Sequence, residues 1–269
     1  MLRDPPSLLD VTGLNKTFAT RHGVRRRVRT LHAVADVSFW VSAGETLAIV
    51  GESGAGKSTT GRLILRLIEP DSGVVHFRGG DVRAFNPKEL RSFRKKAQMI
   101  FQDPHSSLDP RLPIAESVAE PLLVHGIGDR NERRDRTAAL LERVGLGTHL
   151  LDRYPSQLSG GQLQRAAIAR ALTTDPELIV CDEPVSALDV SIRAQVINLL
   201  EDLQAERGIA YMFVTHDLAL VEAFADRVAV MRKGAIVEQS TVTELFTNPQ
   251  EAYTRELLDA VPYVKDQLT

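Results

Sequence analysis

The sequence of 269 residues lacks the features that secreted and membrane-spanning proteins carry. It contains one cysteine, Cys181, so no disulfide can form within one chain. No apolar run approaches the roughly 18 residues of a membrane span, and residues 1–6 lack the basic and then apolar plan of a signal peptide. We therefore expect the chain to stay in the cytosol.

An excess of basic residues is also missing. The 33 Lys and Arg residues are balanced by 35 Asp and Glu residues, and the formal net charge is -2. A general nucleic-acid binder would carry a strongly basic domain or stripe, so no nucleic acid is expected as a partner. The one notable charge run is residues 21–29, with five arginines. It is either a solvated loop or a surface that faces anionic lipid headgroups.

The order of the apolar patterns predicts an α/β fold. Residues 8–18, 31–41 and 74–78 have the pattern of strands, and from Thr46 onward strands and helices alternate. This alternation is typical of a parallel sheet covered by helices. Between about residues 102 and 164 helical patterns, such as those at 114–124 and 132–144, replace the strands, which indicates a helical lobe inserted in the sheet domain.

A glycine-rich segment follows the apolar run at residues 46–50. Residues 51–59 fit the G-x-x-x-x-G-K-[ST] pattern, and a helical pattern of apolar residues follows at 63–68. In that context backbone N–H groups can curl around a β-phosphate, Lys57 can reach the β- and γ-phosphate oxygens, and the Ser58 hydroxyl can ligate Mg²⁺. We predict that this phosphate loop binds a nucleotide through Gly51, Ser53, Gly54, Ala55, Gly56, Lys57, Ser58 and Thr59.

A second glycine-containing segment has the pattern of a helix start. Ser159 is followed three positions later by Gln162, as in a capping box. The adjacent Gly160 and Gly161 would cost roughly 0.8–1.0 kcal/mol each relative to alanine in a helix, so a cap alone does not explain them. A helix N-terminus offers unpaired N–H groups and partial positive charge, and glycine lets an anion approach. We predict that these four residues bind a phosphate, with a plain cap as the alternative.

Two carboxylates, Asp182 and Glu183, end an apolar strand pattern at residues 178–181, and Pro184 follows them. Because successive strand side chains point to opposite faces, the two acids are expected to differ in role. We assign Asp182 to Mg²⁺, directly or through water, and Glu183 to an attacking water as general base. A pair of solvated turn residues is the alternative.

In this order, the motifs resemble those of ATP-binding cassette (ABC) ATPases over nearly the whole chain. Gln102, Asp189 and His216 lie in the matching contexts and complete the set. The resemblance implies that Gln102 links Mg²⁺ and the attacking water to a transport partner. It also implies that Asp189 lies at a subunit contact and that His216 touches the γ-phosphate. Phe18, near the end of the first strand, is a candidate to stack on adenine, and core packing is the alternative.

The resemblance further implies a P-loop NTPase fold with an ABC-type parallel sheet core, an N-terminal antiparallel β subdomain and an inserted helical subdomain. Within this single domain, residues 1–101 and 165–246 would form the core with its β subdomain, 102–164 the helical lobe, and 247–269 a short C-terminal tail. ATP would lie between the phosphate loop of one subunit and the capped glycines of another. A monomer should therefore be a poor ATPase, because phosphoryl transfer needs fixed charge on several sides.

Three segments resemble the oligopeptide, dipeptide and nickel importer branch of this family: residues 101–111, 116–122 and 248–258. The last departs from that branch at Asn248, where histidine is usual. The tail contains no cysteines, so no iron–sulfur cluster is expected. The implied function is ATP-driven dimer closure coupled to the uptake of peptides or a related small solute.

The implied partners are two membrane permease subunits, a second ABC ATPase and, indirectly, an external solute-binding protein. The second ATPase would be a non-identical homologue or another copy of this chain. The assembly would place the chain on the cytoplasmic face of the inner membrane. Residues 101–111 would form the groove that accepts the permease, with an ordinary covered loop as the alternative. The alternative function is an ABC ATPase that transports nothing and acts on nucleic acid or ribosomes.

Overall fold

The structure is a computed structural model that describes residues 7–22, 27–186 and 188–260. The centre of the arginine-rich segment, residues 23–26, lies outside the described residues, so its role stays a prediction. Contacts divide the chain into two compact units. Residues up to Phe85 and from Ala210 onward form the first unit, and Asn86–Ile209 form the second. No helix of the described part of the chain is long and apolar enough to cross a bilayer.

The elements alternate along most of the chain. In chain order, the strands are β1 (Leu9–His22), β2 (Arg27–Val41), β3 (Thr46–Val50), β4 (Ser72–Phe77), β5 (Gly80–Asp81), β6 (Ala97–Ile100), β7 (Leu178–Asp182), β8 (Ala210–Val214), β9 (Arg227–Arg232) and β10 (Ala235–Thr241). The α-helices are α1 (Lys57–Ile64), α2 (Pro87–Lys96), α3 (Ile114–His125), α4 (Arg130–Arg143), α5 (Gly160–Leu172), α6 (Val190–Arg207), α7 (Leu218–Phe224), α8 (Val242–Thr247) and α9 (Ala252–Asp259).

The first unit contains an antiparallel sheet with the strand order β2-β1-β4-β5. Its long hairpin follows the period-2 rule, since Leu9 and Val11 of β1 are buried and lie opposite Val41 and Phe39 of β2. This sheet confirms the N-terminal antiparallel β subdomain that the sequence predicted.

The same unit contains the four strands β10-β9-β3-β8, of which β3 is parallel to β8 and β9, and β10 is antiparallel to β9. All five residues of β3 are buried, as expected for a central strand covered on both faces. Because β3 and β8 are parallel, with Ile49 opposite Val214, their carboxyl ends meet at one edge of the sheet. The phosphate loop follows β3 at that edge, and His216 follows β8.

The helix after the phosphate loop is shorter than its apolar pattern, residues 63–68, had predicted. Helix α1 ends at Ile64. Arg66 has a φ of 49°, in the left-handed region, which does not continue an α-helix. Its guanidinium donates to the carbonyl oxygens of Val82 and Phe85 at 3.2 and 2.8 Å. These hydrogen bonds stabilise a bend in the chain that the local sequence did not indicate.

The second unit combines the parallel pair β6 and β7 with a group of helices. Helices α3, α4 and α5 pack against one another, and α3 and α4 correspond to the helical patterns predicted at 114–124 and 132–144. The predicted lobe, residues 102–164, lies inside this unit, but its second boundary falls within the continuous helix α5. The lobe boundaries stay a prediction.

The chain after β10 packs back onto the first unit through α8 and α9. Leu245, Tyr253 and Leu258 are buried in a cluster that includes Val230 of β9. The described part of the C-terminal tail, residues 247–260, therefore contributes to the hydrophobic core of the unit that carries the phosphate loop.

Candidate active site

The phosphate loop has a backbone that only glycine can adopt at two positions. Gly51 has a φ of 147° and Gly56 a φ of 105°, both outside the usual range of other residues. A Cβ added at Gly51 would overlap the carbonyl oxygen of Met231, and one added at Gly56 would overlap that of Ala33. Close backbone packing therefore requires glycine at both ends of the loop.

Lys57 begins α1 and is folded back across the loop. Its side chain is only 5% exposed, and its ammonium donates to the carbonyl oxygens of Gly51 at 2.7 Å and Glu52 at 2.9 Å. The chain thus satisfies a buried ammonium with backbone oxygens. A buried positive charge enclosed by glycine backbone is the local chemistry that an incoming phosphate requires.

The remaining loop residues differ in exposure. Ser53 and Gly54 are exposed, Ala55 is buried, and Ser58 and Thr59 are half-buried. The Ala55 carbonyl accepts a hydrogen bond from Gly234 N–H at 2.9 Å, which fixes the middle of the loop to the β9–β10 turn.

His216 lies on the turn between β8 and α7, and its side chain is exposed. The buried residue before it, Thr215, donates its N–H to Ile49 of β3 at 3.2 Å. The residue after it, Asp217, caps α7 by accepting from Ala219 N–H at 3.1 Å. His216 is thus held between a strand end and a helix start at the carboxyl edge of the sheet.

The second unit brings Gln102 and Glu183 together. The Gln102 amide donates to a Glu183 carboxylate oxygen at 3.1 Å, although the two residues are far apart in sequence. Asp182, the last residue of β7, is only 1% exposed. The sequence had placed Glu183 in the same strand, and that reasoning was wrong. Glu183 has a φ of 47° and follows the strand, so strand alternation does not set its direction.

Ser159 caps α5 as its sequence pattern predicted. Its hydroxyl accepts from Gln162 N–H at 3.3 Å, and its own N–H donates to the Gln162 side-chain oxygen at 2.9 Å. The two glycines have different surroundings. A Cβ at Gly161 would come within 3.0 Å of Ile192, whereas a Cβ at Gly160 would meet nothing within 4 Å. Packing within the described chain therefore explains glycine at 161 and does not explain it at 160.

Two cavities lie on the surface of the second unit. One of about 400 Å³ connects Gln102 with Gly160, and it is lined by Gln102, Asp103, Pro104, His105, Gly160, Gln164, Pro184, Ser186 and Leu188. The other, of about 530 Å³, is lined by Glu120, Arg170 and residues 105–111. Of the segment predicted to accept a permease, residues 102–111 thus line one or the other of these cavities.

Asp189 and Phe18 complete the set of predicted residues. Asp189 precedes α6, makes no side-chain capping bond and is exposed, and the neighbouring Val190 is 81% exposed. Phe18 is half-buried on β1, and the Lys16 ammonium lies 5.6 Å from its ring centroid. Neither arrangement tests the predicted roles, so subunit contact for Asp189 and adenine stacking for Phe18 stay predictions.

The sequence reasoning missed Tyr253, whose side chain touches the phosphate loop. The Tyr253 hydroxyl accepts a hydrogen bond from Glu52 N–H at 3.2 Å. The segment 248–258 had attracted attention only as a mark of the importer branch. A buried aromatic in a tail has no local pattern that indicates which loop it contacts.

A central strand, a glycine loop and a helix that begins with a buried lysine define a P-loop nucleotide-binding protein. The profile of the ABC transporter family matches residues 34–186, which is more than half of the sequence. The chain therefore belongs to the ABC transporter family, and the predicted family resemblance is confirmed.

Solved structures of ATP-binding cassettes have a similar fold. The dimeric ATP-binding cassette MJ0796, in a post-hydrolysis state bound to ADP and Pi, is 31% identical with a TM-score of 0.77, over 87% of this chain and 98% of that one. CbiO1 from Clostridium perfringens, part of the cbiONQ complex, is 28% identical with a TM-score of 0.76, over 97% and 98% of the two chains.

Higher identity is found with glutathione import ATP-binding proteins named GsiA. The protein of Salmonella paratyphi A is 52% identical over 256 residues, which are 95% of this chain and 41% of the relative. That of Escherichia coli O6:H1 is 53% identical over 260 residues, or 96% of this chain and 42% of the relative. The chain thus spans about two fifths of the length of these curated relatives.

Proposed function

We propose that this chain is the ATP-hydrolysing subunit of a membrane importer for peptides or a related small solute. The observation that carries the proposal is the phosphate loop, in which Gly51 and Gly56 leave no space for a Cβ and the Lys57 ammonium is buried against loop carbonyls. Similarity to glutathione import ATP-binding proteins over almost the whole chain supports the importer branch.

In this proposal the phosphate loop binds ATP. Lys57 reaches the β- and γ-phosphate oxygens, and the loop N–H groups enclose the β-phosphate. Ser58, Gln102 and Asp182 supply the hydroxyl, amide and carboxylate oxygens that Mg²⁺ prefers, and the ion when bound supplies positive charge against the phosphate oxygens.

Glu183 is the general base for the attacking water. Gln102 orients the Glu183 carboxylate through the hydrogen bond at 3.1 Å. Gln102 also lines the cavity that continues along residues 103–105. A displacement of those residues would therefore move Gln102, the hydrogen-bond partner of Glu183. His216 contacts the γ-phosphate from the exposed turn after β8.

A second subunit completes each ATP site through Ser159, Gly160, Gly161 and Gln162. The bare backbone at Gly160 supports this role, since nothing in the described chain occupies the space that a Cβ would fill. Asp189 and the exposed Val190 belong to the same contact in this proposal. ATP closes the dimer, and hydrolysis releases it.

Two permease subunits hold the ATPases on the cytoplasmic face of the inner membrane, with residues 101–111 as the docking groove. An external solute-binding protein delivers the solute to the permeases. An ABC ATPase that acts on nucleic acid or ribosomes is not favoured, because the relatives at 52–53% identity are named as import proteins.

Co-purification with the genomic neighbours tests the proposal. The chain is co-expressed with those neighbours, tagged and isolated from detergent-solubilised membranes, and the proteins that accompany it are identified by mass spectrometry. Two permeases and an ATPase subunit are expected to accompany the chain. A Lys57→Ala variant is the control, because it shows whether the complex assembles without ATP hydrolysis. Recovery of ribosomal or DNA-repair proteins instead would contradict the importer function.

A further inference from the structure

The C-terminal tail reaches the phosphate loop through one side chain. Tyr253, on α9, is 4% exposed, and its hydroxyl accepts the hydrogen bond from Glu52 N–H. Its ring is held in place from two sides, since it packs in the cluster with Val230 and Leu258, and the Arg232 guanidinium lies 4.4 Å from its centroid.

The tail is itself fixed to the sheet. The Glu238 carboxylate on β10 accepts from Gln250 N–H at 2.8 Å and from Glu251 N–H at 3.1 Å, directly before α9 begins. Charge-assisted bonds to backbone N–H groups at a helix start are among the stronger hydrogen bonds in proteins. The position of Tyr253 is therefore set by the sheet that also carries the phosphate loop.

The bond from Tyr253 and the bond from Lys57 act on the same peptide group. The Gly51 carbonyl and the Glu52 N–H belong to one planar unit. Lys57 donates to that carbonyl at 2.7 Å, and Tyr253 accepts from that N–H at 3.2 Å. The tail and the lysine thus hold opposite edges of one peptide plane. Glycine at 51 makes this plane unusually free to rotate, so the two bonds together restrict it.

We propose that Tyr253 is a positioning residue for ATP binding, through which the C-terminal tail stabilises the binding-competent conformation of the phosphate loop. The inference rests on the proposed ATPase function. Without the hydroxyl, the Gly51–Glu52 peptide has an unpaired N–H and can rotate, and the loop must be ordered again when ATP binds. The free energy needed to order the loop therefore weakens ATP binding and leaves the rate of the chemical step unchanged.

The test is Tyr253→Phe in the full chain, which removes the hydroxyl and keeps the ring. Loss of one neutral hydrogen bond should raise the dissociation constant of ATP by about threefold to tenfold. KM should rise in parallel while kcat at saturation stays unchanged. Amide hydrogen exchange at Glu52 should accelerate, whereas exchange at Thr60, whose N–H bonds the Gly56 carbonyl at 2.9 Å, should not.

Leu245→Ala is the matched control. It removes a buried side chain of the same cluster from α8 and leaves α9, which carries Tyr253, unaltered, so it should lower the melting temperature more than Tyr253→Phe and leave the affinity for ATP unchanged. An equal loss of affinity in both variants would show a merely structural role and overturn the proposal. So would an unchanged affinity or an unchanged exchange rate at Glu52 in Tyr253→Phe. Failure of the unaltered chain to bind ATP would instead refute the proposed function itself.

Discussion

At the residue scale, the site depends on backbone positions that exclude a Cβ and on one hydrogen-bonded acid. Glu183 is the residue with the clearest expected effect on hydrolysis. Its left-handed φ of 47° brings it out of the strand, and its carboxylate is held by Gln102. Asp182 is buried at the strand end and lies in a different environment, which supports the division of roles between the two acids.

Glu183→Gln should slow ATP hydrolysis by about 10²–10⁴-fold and preserve ATP binding, because a positioned general base contributes rate and little ground-state affinity. The amide retains an oxygen that can accept from Gln102, so the local fold should survive. Single-turnover kinetics with a separate binding titration measure the two effects. Glu201→Gln on the exposed face of α6 is the control. Hydrolysis at the normal rate would exclude Glu183 as the base.

Gly160→Ala should separate folding from function. Because a Cβ at this position meets nothing within 4 Å, the variant should be as stable as the parent or more stable, by up to about 1 kcal/mol from helix propensity. The rate of ATP hydrolysis should fall if the phosphate of an ATP bound by another subunit approaches the backbone at Gly160. Thermal melting and ATPase rates measure both. Gly161→Ala should instead lose stability, because its Cβ meets Ile192. Full activity in Gly160→Ala would argue for a plain helix cap.

At the element scale, we expect the attachment of α9 to depend on pH. Partial burial opposes ionisation of Glu238, but the N–H groups of Gln250 and Glu251 and the nearby Arg255 outweigh it and lower the pKa of the carboxyl. A group whose pKa is lower in the folded state stabilises the fold above its unfolded pKa. That stabilisation is lost as the pH falls through the folded value.

Glu238→Gln should therefore lower the melting temperature at neutral pH, and the difference from the parent should shrink below about pH 4, where carboxyls become protonated. Melting curves by circular dichroism between neutral and acidic pH measure this. Glu256→Gln, on the exposed face of the same helix, should show no such trend. A constant difference at every pH would show that the carboxylate charge does not anchor the tail.

The element scale also shows where local patterns were sufficient. The Ser159 cap, β3 and α3 formed where the sequence predicted them, because caps and apolar periodicity are properties of neighbouring residues. Helix α1 ended early, because Arg66 takes a left-handed conformation and bonds to distant carbonyls. Elements fixed by such long-range bonds were the ones that sequence patterns placed inaccurately.

At the scale of the whole molecule, the proposed ATP site needs two subunits. Lys57→Ala disables the phosphate loop, and Ser159→Arg obstructs the segment that faces the loop of another subunit. Each variant alone should be inactive. Mixed together, they should regain part of the activity, because a mixed dimer has one site with an intact loop and an intact Ser159 segment.

ATPase rates of the two variants, alone and mixed, measure this complementation. Two samples of Lys57→Ala mixed together serve as the control and should stay inactive. A mixture as inactive as its components would exclude a dimer of identical chains and direct attention to a non-identical partner.

The sequence by itself determined the family, the glycine-rich loop and the capped glycines, and it predicted the residues that would surround a nucleotide. These are short motifs whose chemistry depends on residue type and spacing, so they can be identified without coordinates. Only the tertiary structure decided that Gln102 bonds Glu183, that Gly160 has open space beside it and Gly161 does not, and that the Tyr253 hydroxyl accepts a hydrogen bond from Glu52 N–H. Each of these depends on atoms that are distant in sequence and close in space, and no local pattern records which distant residue the folded chain brings into contact.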